Sequence, residues 1–366
     1  MSRYGRGITT RGMSKIVLFT ATFGLSFLGA LFSVSCNNRA NPATAIPPPL
    51  APSQTATITP TGTVTNTPTA TIPPLTYVSQ WAGNDNFATS YMDRTVDHIY
   101  EAYHRQGPIT YPAAIYTTSG TLLNPIGTYS TGGGAGYFYS SLGVATDGQG
   151  NIWVSDSNFN YIQQFYNNGT TISYVKTFGT TGSGNGQFQG VQELEVDGKG
   201  DIYAADLNNY RIQKLDHNGN MLWQYGVGNG AIVTGLFYAN GYLYFTTANA
   251  LSEQIVKLQD LGSSVGTATH YGTFGTGGAG SGQLFDVQGI DGGPDGSFYI
   301  SNYLGGGNAV LCKYDSNFNF ITSVDGSASG AAFYWITSVI SDSAGFVYVR
   351  DGASNDLSCR VVKFTP

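Results

Sequence analysis

The 366-residue chain carries 16 basic and 22 acidic residues, and four of the basic ones fall in the first fifteen positions, which leaves the remainder at a net charge of −10. Nucleic acid is held by lysines and arginines that neutralise phosphate, so this balance argues against it as a partner. Eighteen aspartates against four glutamates, with 50 glycines and 25 tyrosines, favour strands joined by tight turns over helices.

In chain order, Arg3, Arg6, Arg11 and Lys15 precede an apolar run from Ile16 to Phe32, and then Cys36. A charged segment followed by a short apolar one reads as an export signal; a retained anchor helix is the alternative. Ser33-Val34-Ser35-Cys36 resembles the bacterial lipobox, although Ser33 stands where leucine is usual. The resemblance implies that residues 1–36 are a signal, that Cys36 is lipidated, and that the protein is exported and lipid-anchored to the cell envelope, at an outer membrane or the cell surface. Met13 is the expected start. Residues 37–75 form a linker: positions 41–76 hold nine of the fourteen prolines, interleaved with threonine, and no charged or aromatic residue. Such a segment buries too little apolar surface to offset its ordering entropy and makes an extended tether.

From residue 76 the chain repeats. Six short hydrophobic strands run into Gly83, Gly127, Gly179, Gly226, Gly275 and Gly326, at intervals of 44, 52, 47, 49 and 51 residues. That period marks a repeat architecture. In the clearest unit, strands at Gly143–Asp147, Ile152–Asp156, Tyr161–Phe165 and Tyr174–Phe178 alternate with turns at Asp147–Gly150 and Asn167–Gly169, where glycine supplies positive φ. The next unit, from Leu194 to Tyr225, repeats it closely; weaker copies centre on Tyr242–Thr246, Phe298–Asn302, Phe346–Asp351 and, most degenerate, His98–Tyr103.

Ile202 to Gly219, with a strand ending in Asp206, then Arg211-Ile212 and an Asp216-His217-Asn218-Gly219 turn, resembles the NHL repeat family, and the likeness extends loosely over 76–366. Thr247 and Tyr103 replace the strand-end acid, and the arginine recurs only at Arg360. The resemblance implies an all-β fold, a β-propeller of four-stranded blades. Six glycine-ended strands accompany six sets of the other three, but Tyr77–Trp81 precedes every set and the chain ends on a third strand. The expected solution is a six-bladed ring in which the N-terminal strand completes the C-terminal blade, leaving no unpaired seam.

Most recurrent polar residues have structural readings. Asp156, Asp206, Asn302 and Asp351 are expected to bond the backbone of the loop that follows them, and Lys214, Lys257, Lys313 and Lys363 to snorkel from an outward face. Cys312 and Cys359 fall at different strand positions of neighbouring repeats and are not expected to bond. The four histidines, His98, His104, His217 and His270, lack the convergence a zinc site requires. Six-bladed lactonase-type propellers, similar in fold, bind a metal with Glu, Asn and Asp at the channel mouth. Here the inner strands offer Glu193, Asp93, Asp286 and Asp291; Glu193 stands out because its counterparts are Gly143, Gly235 and Gly289. Glu193 and Asp291 are the candidate metal ligands, a divalent ion at the channel being the one cofactor considered. No nucleophile with a local base is visible.

Loops between second and third strands share one side of a propeller with the fourth-to-first connections. They carry His104, Arg105, Tyr111, Phe159, Tyr210 and Tyr303, an aromatic face suited to peptides, proteins or glycans. The reading is a monomeric, non-enzymatic binding or scaffold module without a cofactor; the alternative is a metal-assisted hydrolase or lyase at the axial channel.

Overall fold

A computed structural model describes residues 75–82, 91–95, 97–103, 111–228, 230–248, 253–274, 284–352 and 359–365. The expected signal, Cys36, the linker to residue 74, His104 and Arg105 lie outside the described residues. The described chain is all β apart from two single-turn 3₁₀ helices, Leu207–Asn209 and Ser327–Ser329.

Six four-stranded antiparallel sheets form the blades of a propeller ring. From inner to outer strand, blade 1 is Met92–Arg94, His98–Ala102, Ala113–Thr117 and Leu122–Ile126; blade 2 is Ser141–Thr146, Asn151–Asp156, Tyr161–Asn167 and Ile172–Phe178. Blade 3 is Val191–Val196, Ile202–Asp206, Arg211–Leu215 and Met221–Gly226; blade 4 is Ile232–Ala239, Tyr242–Ala248, Glu253–Asp260 and Val265–Phe274. Blade 5 is Asp286–Gly292, Phe298–Gly305, Asn308–Tyr314 and Phe320–Val324. Blade 6 takes Trp335–Ser341, Val347–Gly352 and Arg360–Thr365 from the C-terminus and Thr76–Ala82 from the N-terminus. Trp81 pairs with Val361 and Ala82 with Arg360, so the expected closure is what the chain does.

The core lies between blades. Each of six apolar clusters draws on two neighbours: Ile115 of blade 1 with Val154 of blade 2, Trp153 with Ile202, Tyr203 with Phe245, Tyr244 with Ile300, Tyr299 with Val349, and Tyr348 of blade 6 with Ile99 of blade 1. Each buried large side chain is worth about 1.5–3 kcal/mol.

The glycine that ends the fourth strand has a specific cause. Gly127, Gly179 and Gly326 have φ of +72°, +87° and +78°. A Cβ on each would stand 2.7 Å from a ring atom of Phe138, Phe188 and Phe333 respectively. Those rings are fully buried and lead into the next inner strand. A side chain at the glycine would have to displace a core ring from a backbone conformation it already disfavours. Gly226 departs from this pattern: it lacks the positive φ and has open space around it, because the segment entering blade 4 has no such ring.

The aspartate excess is spent on turns. Asp147, Asp197 and Asp342 each accept two backbone N–H bonds across their first-to-second-strand turn, and Asp216 and Asp315 do the same between third and fourth strands. A carboxylate that mimics the turn's own hydrogen bonds fixes it locally.

Two expectations are corrected. The strand-end residues bond mainly the connection arriving from the previous blade: Asp206 accepts from Gln189 N, Asn302 from Phe285 N, and Asp351 from Tyr334 N and Trp335 N. Asp156 also holds the loop after it, through Asn158 N and Phe159 N, and Asp206 does so through the Asn209 side-chain amide. Arg211 and Arg360 complete this strap, each ion-paired with its strand-end aspartate at 2.9 Å and donating to carbonyls of the same connection. Two of the third-strand lysines do not snorkel outward. Lys214 and Lys313 are fully buried, and all four lie across the sheet from a second-strand tyrosine, with Nζ 5.0 to 5.5 Å from its ring. The tyrosine face and a nearby aspartate hold the ammonium of Lys214 and of Lys313 inside, while Lys257 and Lys363 are half-buried.

Candidate functional site

Antiparallel order places the second-to-third-strand loops and the blade-to-blade connections on one side of the ring, the loop face. Exposed rings collect here. Tyr137 and Tyr139 are on the connection into blade 2, Tyr210 on the loop of blade 3 and Phe285 on the connection into blade 5, each at least 38% exposed. Phe159 stacks on Tyr161 at 5.5 Å and meets Tyr139 edge-on at 6.2 Å, so blade 2 presents a cluster of rings. Tyr303 lies parallel to Trp335 of the next blade, centroids 5.0 Å apart and planes at 17°. Its hydroxyl accepts from Gly307 N at 3.2 Å. Tyr111 packs edge-on against the buried Tyr103. Tyr210 takes the left-handed conformation, φ +50°, which turns its ring outward at the end of a 3₁₀ turn.

Of the sequence candidates, Phe159, Tyr210 and Tyr303 all reach the loop face, each on its own blade, and no ring contact joins one to another among the described residues. Tyr111 is partly given over to packing. Tyr137, Tyr139, Phe285 and Trp335 lie on or beside the blade-to-blade connections, which end on the same face, and nothing local in the sequence marks their rings as exposed or stacked.

The inner strands surround the axis, and the register makes their positions equivalent. Tyr91, Gly143, Glu193, Gly235, Gly289 and Ser338 form the layer nearer the loop face. Two residues deeper stand Asp93, Ala145, Glu195, Phe237, Asp291 and Ile340, each paired across its blade with a tyrosine or tryptophan on the second strand. In this deeper layer blades 1, 3 and 5 carry an acid and blades 2, 4 and 6 an apolar residue. Each acid reaches to the next blade: Asp93 accepts from Thr146 N at 2.6 Å and Asp291 from Ser341 N at 2.5 Å. Glu195 accepts from Tyr238 N and Glu193 from Leu236 N.

Glu193 is therefore not alone at the axis, as its sequence suggested. Its glycine counterparts have their own reason: a Cβ at Gly143 would lie 2.1 Å from Gln192 O, and one at Gly235 2.8 Å from Ile290 N. Backbones of adjacent blades meet there, and Glu193 alone of that layer extends a carboxylate across the junction. Its side chain is buried, and Oε2 has no hydrogen-bond partner.

The charges are unevenly matched. Arg94 bridges Asp291 at 3.2 Å and Asp93 at 3.7 Å, and its Nε donates to Ser341 O. Burial pushes Glu193, Glu195 and Asp291 above the ordinary carboxylate range, with mutual repulsion adding to the first two. Asp93 is pushed up to about 6, by burial first and by Asp291; Arg94 and two backbone N–H groups oppose that rise. Tyr91 is raised by burial and by Glu193. Low dielectric and like charge both disfavour the ionised carboxylates.

A resident divalent ion does not fit this donor set. One oxygen of each deeper acid is committed to a backbone N–H, and a guanidinium already occupies the space between Asp93 and Asp291. Among the described residues no group of three or more His, Cys, Asp or Glu side chains could hold a metal ion. Glu193 and Asp291, the two candidate ligands, lie in different layers of the channel. Asp286 at the mouth accepts from its neighbour Gln288. His98, His217 and His270 sit on blades 1, 3 and 4, and no bond joins Cys312 to Cys359. No described helix is long and apolar enough to cross a membrane.

No known protein family matches the chain, and no curated protein matches it. Solved structures do. A gluconolactonase from Xanthomonas campestris is 11% identical, with 73% of this chain and 82% of that one covered and a TM-score of 0.51. A protein of unknown function from Bacteroides caccae is 16% identical, covering 69% and 85%, at a TM-score of 0.50. Virginiamycin B lyase from Staphylococcus aureus is 11% identical, covering 79% and 98%, at 0.47. At such identities the first two share a fold with this chain and no more.

Proposed function

We propose that this protein is a non-enzymatic binding module whose loop face takes a peptide, protein or glycan ligand. The observation that carries the reading is the collection of exposed rings on one side of the ring of blades: Tyr137, Tyr139, Tyr210 and Phe285, beside the stacked pair Tyr303–Trp335. Rigid rings offer contact area at little entropic cost, and the backbone of Tyr139, Phe285 and Trp335 is pinned by the strand-end residues Asp156, Asn302 and Asp351. The reading needs no cofactor. Screening the protein on peptide and glycan arrays tests it: a ligand is expected that is lost on Tyr139→Ala, and silence on both arrays would end the proposal.

The repeat is proposed to be of NHL type, supported by the shared strap that Arg211 and Arg360 make with Asp206 and Asp351. The export signal, the lipid on Cys36 and an envelope location rest on the order of charged, apolar and cysteine residues at the N-terminus. Mass spectrometry of the processed N-terminus tests all three; an unmodified Cys36 within an intact leader would reject them.

The rival, a metal-assisted hydrolase or lyase, has one observation in its favour, the open oxygen of Glu193. A stoichiometric divalent ion that is lost on Glu193→Gln would support it.

A further inference from the structure

We propose that the axial channel, entered from the loop face, receives a cationic organic group, best a guanidinium, between Glu193 and Glu195. This goes beyond the loop-face reading and does not rest on it.

The two glutamates are two residues apart on one strand, so their side chains leave the same face. Both sit on blade 3; the charge of Arg94 reaches Glu195, but its ion pairs are with Asp93 and Asp291 and with neither glutamate. Glu193 is only 8% exposed, yet its Oε2 finds no partner. An unpaired buried carboxylate oxygen is costly, and a ligand that supplied a charged donor would relieve it. Tyr91 stands in the same layer and feels the Glu193 charge, giving the group an aromatic neighbour.

The form of the cation follows from the spacing of the acceptors. A divalent ion needs several oxygens at one point, and among the described residues no cluster of three or more acids or other ligating side chains offers them. A guanidinium makes separate, directed bonds to carboxylates standing apart. The protein already contains such an arrangement one step deeper, where Arg94 links Asp93 of blade 1 to Asp291 of blade 5. The ligand group would do for blade 3 what Arg94 does for blades 1 and 5.

Agmatine, an alkylguanidinium, is the probe. Titration calorimetry on the full chain should show saturable one-to-one binding. Glu193→Gln and Glu195→Gln should each weaken it by roughly tenfold or more, the loss of one charge-assisted bond. Leu261→Ser, on the opposite face, should leave it unchanged. Absence of saturable binding overturns the proposal, as does equal binding by wild type and both glutamine variants. A variant that melts below the wild type is replaced by Glu193→Gly, the residue found at this position in three other blades, with the same loss expected.

Discussion

Tyr303 of blade 5 lies face to face with Trp335 of blade 6, 5.0 Å between centroids, on the side of the ring where exposed rings gather. Trp335 begins an inner strand and Tyr303 stands two residues before the end of a second strand, so one stacked pair couples two blades at the surface proposed to bind. Adjacent scaffold fixes both partners: Asp351 holds Trp335 N, and Gly307 N holds the Tyr303 hydroxyl. A ligand on this face meets rings that need not be ordered on binding.

The glycine that ends the fourth strand should be intolerant only where a ring covers it. Gly179→Ala should cost about 2–4 kcal/mol, combining a left-handed backbone with displacement of Phe188. Gly226→Ala, in open space at ordinary φ, should cost no more than about 0.5 kcal/mol. Urea midpoints of the two variants decide it; equal losses would refute the ring-on-glycine explanation.

Ring closure depends on residues 76–82, whose strand pairs along Arg360–Thr365 and whose Gln80 accepts from Arg360. Deleting them exposes the edge of blade 6 and should replace one sharp unfolding transition by a broad or early one. Calorimetry that shows the deletion melting like the full chain would contradict closure at this seam.

The buried ammonium of Lys214 meets Asp260 of the next blade at 2.7 Å, with Asp201 at 3.1 Å and Asp197 at 3.3 Å. Tyr203 and Trp223 also donate to Asp260. Lys214→Ala leaves buried carboxylates without their cation and should cost about 3–5 kcal/mol, read from denaturant unfolding. A loss below about 1 kcal/mol would mean that the lysine behaves like a surface charge.

Asp93 gives a pH dependence of definite sign. Its folded pKa is about 6, above the usual 3.8, so the native state binds this proton more tightly than the unfolded chain. The stability it contributes therefore rises as pH falls through 6 and levels off below about 4. Between pH 7.5 and 4.5 the wild type should gain melting temperature relative to Asp93→Asn. Parallel curves would show that Asp93 titrates normally.

Period, blade number and closure were legible in the sequence because a glycine-ended strand answers to local chemistry: a turn residue, a strand that stops and, at Gly127, Gly179 and Gly326, a positive φ. Inter-blade relations were not. Lys214 reads as an outward lysine by alternation, but Tyr203, the turn acids Asp197 and Asp201, and Asp260, 46 residues on, hold it inside. Glu193 stood out against its glycine counterparts, but Asp93, Glu195 and Asp291 recur on alternate blades, a pattern visible only once the bulged inner strands are set in register. Tyr137 and Phe285 escaped notice since nothing local distinguishes a ring on a connection that packs from one that does not.

The loop face is proposed to be the working surface. The most direct test is the solution affinity of an array-selected ligand for wild type, Tyr303→Ala and the opposite-face variant Leu261→Ser. Tyr303→Ala should weaken binding by roughly tenfold or more, as loss of an aromatic anchor does, with Leu261→Ser at wild-type affinity. Unchanged affinity in Tyr303→Ala, or a loss confined to Leu261→Ser, would contradict it.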